Sequence, residues 1–156
     1  MGDTVVVPRQ GIGTVVERSV RRLAGTRREY LAIEVARGGM RLMIPTESPG
    51  AGRLRAISSR RVAKEALSTL ESPPQELAEN WRNRHNEASE TLGSGELVAV
   101  AGLVRDLAHA NQRKHLTGSD LQAYTSALEL LRSELRAVLR ISDRRVAAEV
   151  DRRLGL

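Results

Sequence analysis

Apolar residues alternate with polar ones in short bursts up to Pro45, and from there on they recur at the spacing of helices. Val5-Val6-Val7 stops at Pro8, Gly11 and Gly13 punctuate, and Thr14-Val15-Val16 resumes, which predicts a strand, a turn and a second strand. From Tyr30 to Val35 the residues Leu31, Ile33 and Val35 fall on one side of a strand. After a turn at Arg37-Gly38-Gly39, Met40, Leu42 and Ile44 repeat the pattern. Four or five such strands within roughly 50 residues have little core unless the sheet curls on itself, so residues 1–50 read as a small barrel of the SH3 or Tudor kind.

Thr46 to Gly52, with Pro49, Gly50 and Gly52, reads as turn-rich, and no strand-like alternation returns beyond it. Ser58 or Ser59 caps a helix to about Leu70, with Val62, Ala66, Leu67 and Leu70 on one face, and Pro73-Pro74 ends it. A second helix is predicted from Gln75 to Leu92 through Leu77, Trp81 and Ala88, stopped by Gly93-Ser94-Gly95. The third, Glu96 to His115, carries the stripe Leu97, Val100, Ala101, Val104, Leu107 and Ala108. The fourth, Ser119 to Leu139, turns Leu121, Tyr124, Leu128, Leu131, Leu135 and Val138 inward, and a short fifth runs from Ser142 or Asp143 to Leu154. The expected architecture is α+β in two modules: a small Tudor/SH3-like β-barrel at 1–50, a linker at 51–57, and a compact all-α domain of about five helices at 58–156.

Composition narrows the function. An apolar fraction of 40% with 28% charged residues belongs to a folded chain, and no apolar run approaches a membrane span. The opening Met1-Gly2-Asp3-Thr4 has no signal-peptide character, and with no Cys there is neither a disulfide scaffold nor thiolate chemistry, so a cytoplasmic location is expected. The formal charge is +6, and of the 25 basic residues only Lys64 and Lys114 are lysine. Such an arginine excess suits bidentate contacts to phosphate or carboxylate. It clusters at Arg18, Arg21, Arg22, Arg27 and Arg28 and again at Arg53, Arg55, Arg60 and Arg61, which fits nucleic acid, an acidic protein surface or simply a solvated face.

Catalytic signatures are missing. His109 and His115 are six apart, near opposite sides of a helix, and His85 and Glu87 do not share a helical face, so no metal is expected. Gly11-Ile12-Gly13 lacks the third glycine and the helix of a dinucleotide fingerprint, and no Ser sits in a nucleophile elbow. The chain therefore reads as a binding protein without enzymatic activity or cofactor. Two features could bind. Trp81, beside Arg82 and Arg84, is either a core residue at helical spacing from Leu77 and Ala88, or a wedge for a base step flanked by phosphate-neutralising arginines. The edge of the β-module could accept a strand, with Arg21, Arg22 and Arg41 supplying charge.

Several stretches together resemble the CarD/CdnL family of bacterial RNA polymerase-binding transcription regulators. Gly2-Asp3-Thr4-Val5-Val6-Val7-Pro8 with Gly11 is similar to that family's opening strand and turn, and Glu29-Tyr30-Leu31 and Ile44-Pro45-Thr46-Glu47 are similar to its next strands. In the second half, Asn80-Trp81 with Arg84, Leu92-Gly93-Ser94-Gly95-Glu96 and Val104-Arg105-Asp106-Leu107 follow in the same order and spacing.

The resemblance implies that the β-module docks on the RNA polymerase β subunit, partly by strand pairing, and that the helical module reaches promoter DNA at the upstream edge of the transcription bubble. Arg21 falls at a polymerase-contacting arginine of the family. A second such position is Met43 here, for which Arg41, two residues earlier on the same strand face, substitutes. Trp81 matches the wedge tryptophan and Arg84 a basic position, whereas Asn83 and Asn86 replace basic residues of relatives, leaving Arg82 to compensate. The expectation is a monomeric, nucleoid-associated regulator that stabilises the promoter open complex by shape rather than sequence, with Trp81, Arg82 and Arg84 on DNA and Arg21, Arg22 and Arg41 on polymerase. The alternative is a protein-interaction adaptor in which Trp81 is buried and touches no DNA.

Overall fold

The computed structural model describes residues 2–47 and 54–156, and the chain divides into two compact units between Ile57 and Ser58. In the first unit, β1 (Thr4–Val7), β2 (Gly11–Leu23), β3 (Thr26–Val35), β4 (Arg41–Pro45) and β5 (Arg55–Ala56) form an antiparallel sheet in the order β4-β3-β2-β1-β5. Together these strands are the Tudor-like module that the alternation pointed to. Of the stretch read as a linker, Ala51–Arg53 lie outside the described residues, as do Pro49 and Gly50. Arg55–Ala56 form β5 against Val5 and Val6 of β1.

Val7, Val15 and Ile33 make the core, with Val5, Leu31, Leu42, Ile44 and Leu54 packed against it. Gly13 lies where the sheet is tightest: a Cβ there would sit 2.6 Å from Ile33 Cγ2 and 3.2 Å from the Glu34 carbonyl, so no larger residue fits without displacing β3. The register shifts by one residue between Val15, opposite Ile33, and Glu17, opposite Ala32, which leaves Val16 as a bulge. Beyond it Arg18, Val20 and Arg22 continue the core face, while Glu17, Ser19 and Arg21 lie on the outer face.

The second strand is longer than Thr14–Val16. It runs to Leu23 because Arg18–Arg22 find register partners at Arg27–Leu31, a pairing with no apolar alternation to announce it. The tip closes through Ala24 and Gly25, both at positive φ (51° and 79°), the backbone of a type I′ turn. Met40, expected to face inward with Leu42 and Ile44, lies just before β4 and is exposed.

The second unit contains α1 (Arg60–Glu71), α2 (Trp81–Ser94), α3 (Leu97–Arg113), α4 (Gly118–Leu139) and α5 (Asp143–Leu154). Helix α3 packs against α1, α2 and α4, and α5 closes over α1 and α4. The α3 stripe of Leu97, Val100, Ala101, Val104, Leu107 and Ala108 is buried, as are Ala63, Ala66, Leu67 and Leu70 of α1 and Leu131 and Leu135 of α4, the helices it packs against, and Val146 and Val150 of α5 are buried where that helix closes over α1 and α4. This is a core of small and branched aliphatics, each larger member contributing about 1.5–3 kcal/mol on burial. Ser59 and Ser142 cap α1 and α5, their hydroxyls accepting from the Val62 and Arg145 amides.

Three local differences separate this unit from the sequence-based expectation. Helix α2 begins at Trp81 rather than Gln75, because Asn80 is its cap and residues 75–80 form no regular element, the chain bending at Glu79 and Asn80. Leu121 is 46% exposed rather than inward, and Tyr124 is only half-buried. Among the described residues one charge is interior: Glu134, 3% exposed, accepts from the Ser58 amide at 2.9 Å and the Ser58 hydroxyl at 2.6 Å, seating the chain where it enters α1.

Candidate functional site

The connection between α1 and α2 determines where Trp81 stands. The Ser72 hydroxyl donates to the Thr69 carbonyl at 2.6 Å and accepts from Arg105 Nη1 at 2.6 Å. Arg105 Nε in turn donates to Asp106 Oδ1 at 2.8 Å, and the same carboxylate oxygen accepts from the Gln75 amide at 2.9 Å. At the far end the Asn80 side chain accepts from the Arg82 amide at 2.8 Å and starts α2. The residues between are thus tied at both ends to the helical unit.

Trp81, the first helical residue, is 57% exposed, which removes the reading in which it is buried. The Arg82 guanidinium lies over its ring, 5.5 Å from the centroid, a cation–π contact worth about 0.5–1 kcal/mol at an exposed site. The two present a flat apolar ring with a cation beside it. Asn83 and Asn86 are exposed on the same helix.

Arg84 is arranged differently from Arg82. Its side chain is 22% exposed and grips Asp120 of α4 through two bonds of 3.2 Å, while Nη1 donates to the Ala78 carbonyl at 3.0 Å and the Glu79 carbonyl at 2.6 Å. Trp81 and Arg82 are therefore brought together, and Arg84 forms the clasp behind them. Asp106, Arg105 and Asp120, none of them singled out for a role from sequence, complete the support. The only sequence signal for them was the run Val104-Arg105-Asp106-Leu107, since nothing local to Arg84 points to a partner in α4.

In the β-module the register separates the three arginines assigned to one surface. Arg21 lies opposite Arg28, and Tyr30, Ala32 and Glu34 follow on that outer face. On β4 Arg41 lies opposite Glu34 and Met43 opposite Ala32, so Arg21, Arg41 and the exposed Met43 share a face. Arg41 pairs with Glu17 at 2.8 Å, both half-exposed, a contact weak enough to be exchanged. Arg22, opposite Arg27, is on the other face. Among the described residues β4 pairs with β3 alone and is a sheet edge.

Among the described residues no three His, Asp or Glu lie close enough to hold a metal ion, and no helix is long and apolar enough to cross a membrane. The titratable groups whose surroundings shift them are in α4 and α5. Burial pushes the Tyr124 phenol up, Asp151 adding to this and Arg132 opposing it, and hydrogen bonds from Arg152 and Arg153 hold the Glu149 carboxyl below the usual range.

The fold is thus a Tudor-like β-module followed by five helices, with the chain's one indole exposed at the start of α2. Residues 1–58 match the family model "CarD-like/TRCF RID domain" and residues 65–151 match "CarD, C-terminal domain". The chain belongs to the CarD family and is a transcription-related regulator. It is also 23% identical over 146 residues to "Putative transcription factor YdeB" of Bacillus subtilis (strain 168), an alignment covering 94% of this chain and 95% of that protein.

Proposed function

We propose that the protein docks on the β subunit of RNA polymerase through the outer face of its sheet and stabilises the promoter open complex by inserting Trp81 at the upstream edge of the bubble. The observation that carries this reading is the exposure of Trp81 at the first turn of α2. A chain with only three aromatic residues keeps its single indole 57% in water, with a guanidinium stacked on it. Exposing that much apolar surface is unfavourable in the free protein, and a base step whose stacking is already broken supplies a partner for the ring.

Docking draws on Arg21, Arg41 and Met43, with β4 as an edge on which a strand of the partner can add. The tether raises the local concentration of the helical unit beside the DNA, so weak binding becomes occupancy. Arg82 neutralises phosphate next to the ring, and Arg84 positions both residues. The equilibrium shifts toward open complex by the difference in the wedge's affinity for open fork and closed duplex, and about 1.4 kcal/mol of preference is a tenfold shift. One ring and one or two phosphate contacts read shape rather than base identity.

Trp81→Ala tests the reading. The ring is exposed, so the variant folds with a loss of under about 1 kcal/mol, still binds polymerase, and no longer prolongs the life of the open complex followed by permanganate reactivity. Open complexes that live as long with the variant as with the wild type reject the wedge. Trp81 is also the sole tryptophan, so its emission should be red-shifted and should be quenched by a forked promoter fragment.

A further inference from the structure

The tip of the β2–β3 hairpin carries two facing pairs of like charge. Arg21 lies opposite Arg28 and Arg22 opposite Arg27, and all four side chains are exposed. Like charges directly across a sheet destabilise it, and no carboxylate among the described residues pairs with any of the four. The neighbouring Glu29 is engaged by Arg18 at 3.7 Å instead. Pairing of β4 with β3 ends at Tyr30, with the Thr46 amide still donating to the Glu29 carbonyl, so Arg21 to Leu23 and Thr26 to Arg28 stand beyond the sheet as a two-stranded ribbon, about 10 Å long at roughly 3.3 Å per residue. A ribbon that gains nothing in the free protein from opposing its cations has a surface shaped for an anion.

We infer that Arg22 and Arg27, with Arg18 beside them, form a second DNA contact: a phosphate-backbone clamp on the face of the ribbon opposite to Arg21 and Arg41. The composition of the two faces chooses the partner. The outer face offers Met43, the half-buried Tyr30 and an open strand edge, the apolar anchors that a protein interface needs at its centre. Among the described residues the opposite face of the tip offers Val20 as its one exposed apolar side chain and otherwise Arg18, Arg22 and Arg27 with the carboxylate of Glu29, a net positive surface that serves a polyelectrolyte. Guanidinium forks match phosphate oxygens bidentately, and for a transcription-related regulator the polyanion at hand is duplex DNA. The ribbon then has a protein on one face and DNA backbone on the other. This contact is separate from the Trp81 wedge and requires neither base identity nor a melted fork.

The test is the salt dependence of full-length protein binding to a non-promoter duplex of about 20 base pairs, read by fluorescence anisotropy without polymerase. The double variant Arg22→Thr/Arg27→Thr should lower the slope of log affinity against log salt by about 1.8, equivalent to roughly tenfold less affinity lost between about 50 and 200 mM salt. It removes a repulsion and keeps strand-forming side chains, so its Tm should equal or exceed that of the wild type, and it should still be retained by polymerase. Arg22→Lys/Arg27→Lys should keep the wild-type slope. Arg21→Thr/Arg28→Thr should change the slope less and weaken retention by polymerase. An unchanged slope in the first variant overturns the inference, as does an equal loss from both pairs, which would mean diffuse charge. If the first variant loses polymerase and keeps its slope, the ribbon's partner is an acidic protein and the DNA assignment is wrong. None of these outcomes depends on Trp81, so this contact and the wedge can fail separately.

Discussion

Removing the carboxylate of Asp120 separates the two roles open to Arg84, because they give opposite signs. If Arg84 were a phosphate contact, Asp120→Ala would free its guanidinium and delete a negative charge, so DNA binding would tighten and open complexes would last longer. If Arg84 is the clasp behind Trp81, the same change loosens the residues that hold the indole, and open complexes decay faster. The magnitude follows from the geometry. Two charge-assisted bonds of 3.2 Å are lost, at about 1.5–3 kcal/mol for a well-formed, desolvated one. Both partners are about a quarter exposed and the bonds are long, so solvent takes back part of this and a total near 2 kcal/mol is expected. For a helical unit of this size that lowers Tm by roughly 10 °C without unfolding it at 25 °C.

Urea unfolding followed by circular dichroism measures the loss. Time-resolved anisotropy of Trp81 reports whether the ring gains local motion, and the lifetime of the open complex reports the functional effect. Faster segmental motion with shorter-lived open complexes is the expected result. A longer-lived open complex, or an indole as immobile as before, refutes the clasp.

Two further outcomes follow from the geometry of each unit. Gly13→Ala forces a methyl to within 2.6 Å of Ile33 Cγ2 and should destabilise the β-module by about 1–3 kcal/mol while α1–α5 keep their own unfolding midpoint, which separate probes of strand and helix would distinguish. For Glu149 the folded-state carboxyl is held below its ordinary value of 4.5 by hydrogen bonds from Arg152 and then Arg153, so its contribution is present above that pH and lost as acid titrates the folded group. Glu149→Gln should therefore be less stable than the wild type near neutrality, by under about 1 kcal/mol for so exposed a cluster, and the gap should shrink as the pH falls from neutrality through the titration of the folded carboxyl; a gap that widens in acid would contradict the assignment.

Much of the architecture was legible because it is written in local patterns. The stripe from Leu97 to Ala108 needs only a 3.6-residue period to be seen, and Ser59, Gly95 and Ser142 mark helix ends by their chemistry. What stayed hidden depends on partners far along the chain. Arg84 reads as a basic residue beside a tryptophan until Asp120, 36 residues on, is brought against it, and Glu134 reads as an ordinary surface acid until Ser58, 76 residues away, closes on it. Periodicity misplaced Leu121, and left Trp81 open between core and surface, for a related reason: each falls at helical spacing from apolar residues but near a helix start, where it stays exposed. The strand through Arg18–Arg22 escaped detection because its pairing is fixed by register, while its side chains show none of the alternation by which strands are recognised.

The bulge at Val16 decides which arginine meets which partner. Strand side chains have a reading frame of two, and one supernumerary residue shifts everything downstream by half of it. Glu17 is thereby turned to reach Arg41, and Arg21 and Arg22 exchange sides relative to an uninterrupted strand. Deleting Val16 would leave every functional residue present and its neighbours in sequence intact, yet swap what the two sides of the hairpin offer. Insertions and deletions at this point of the chain would thus rewire partners without altering a single contact residue, a change that residue-by-residue comparison of relatives would overlook.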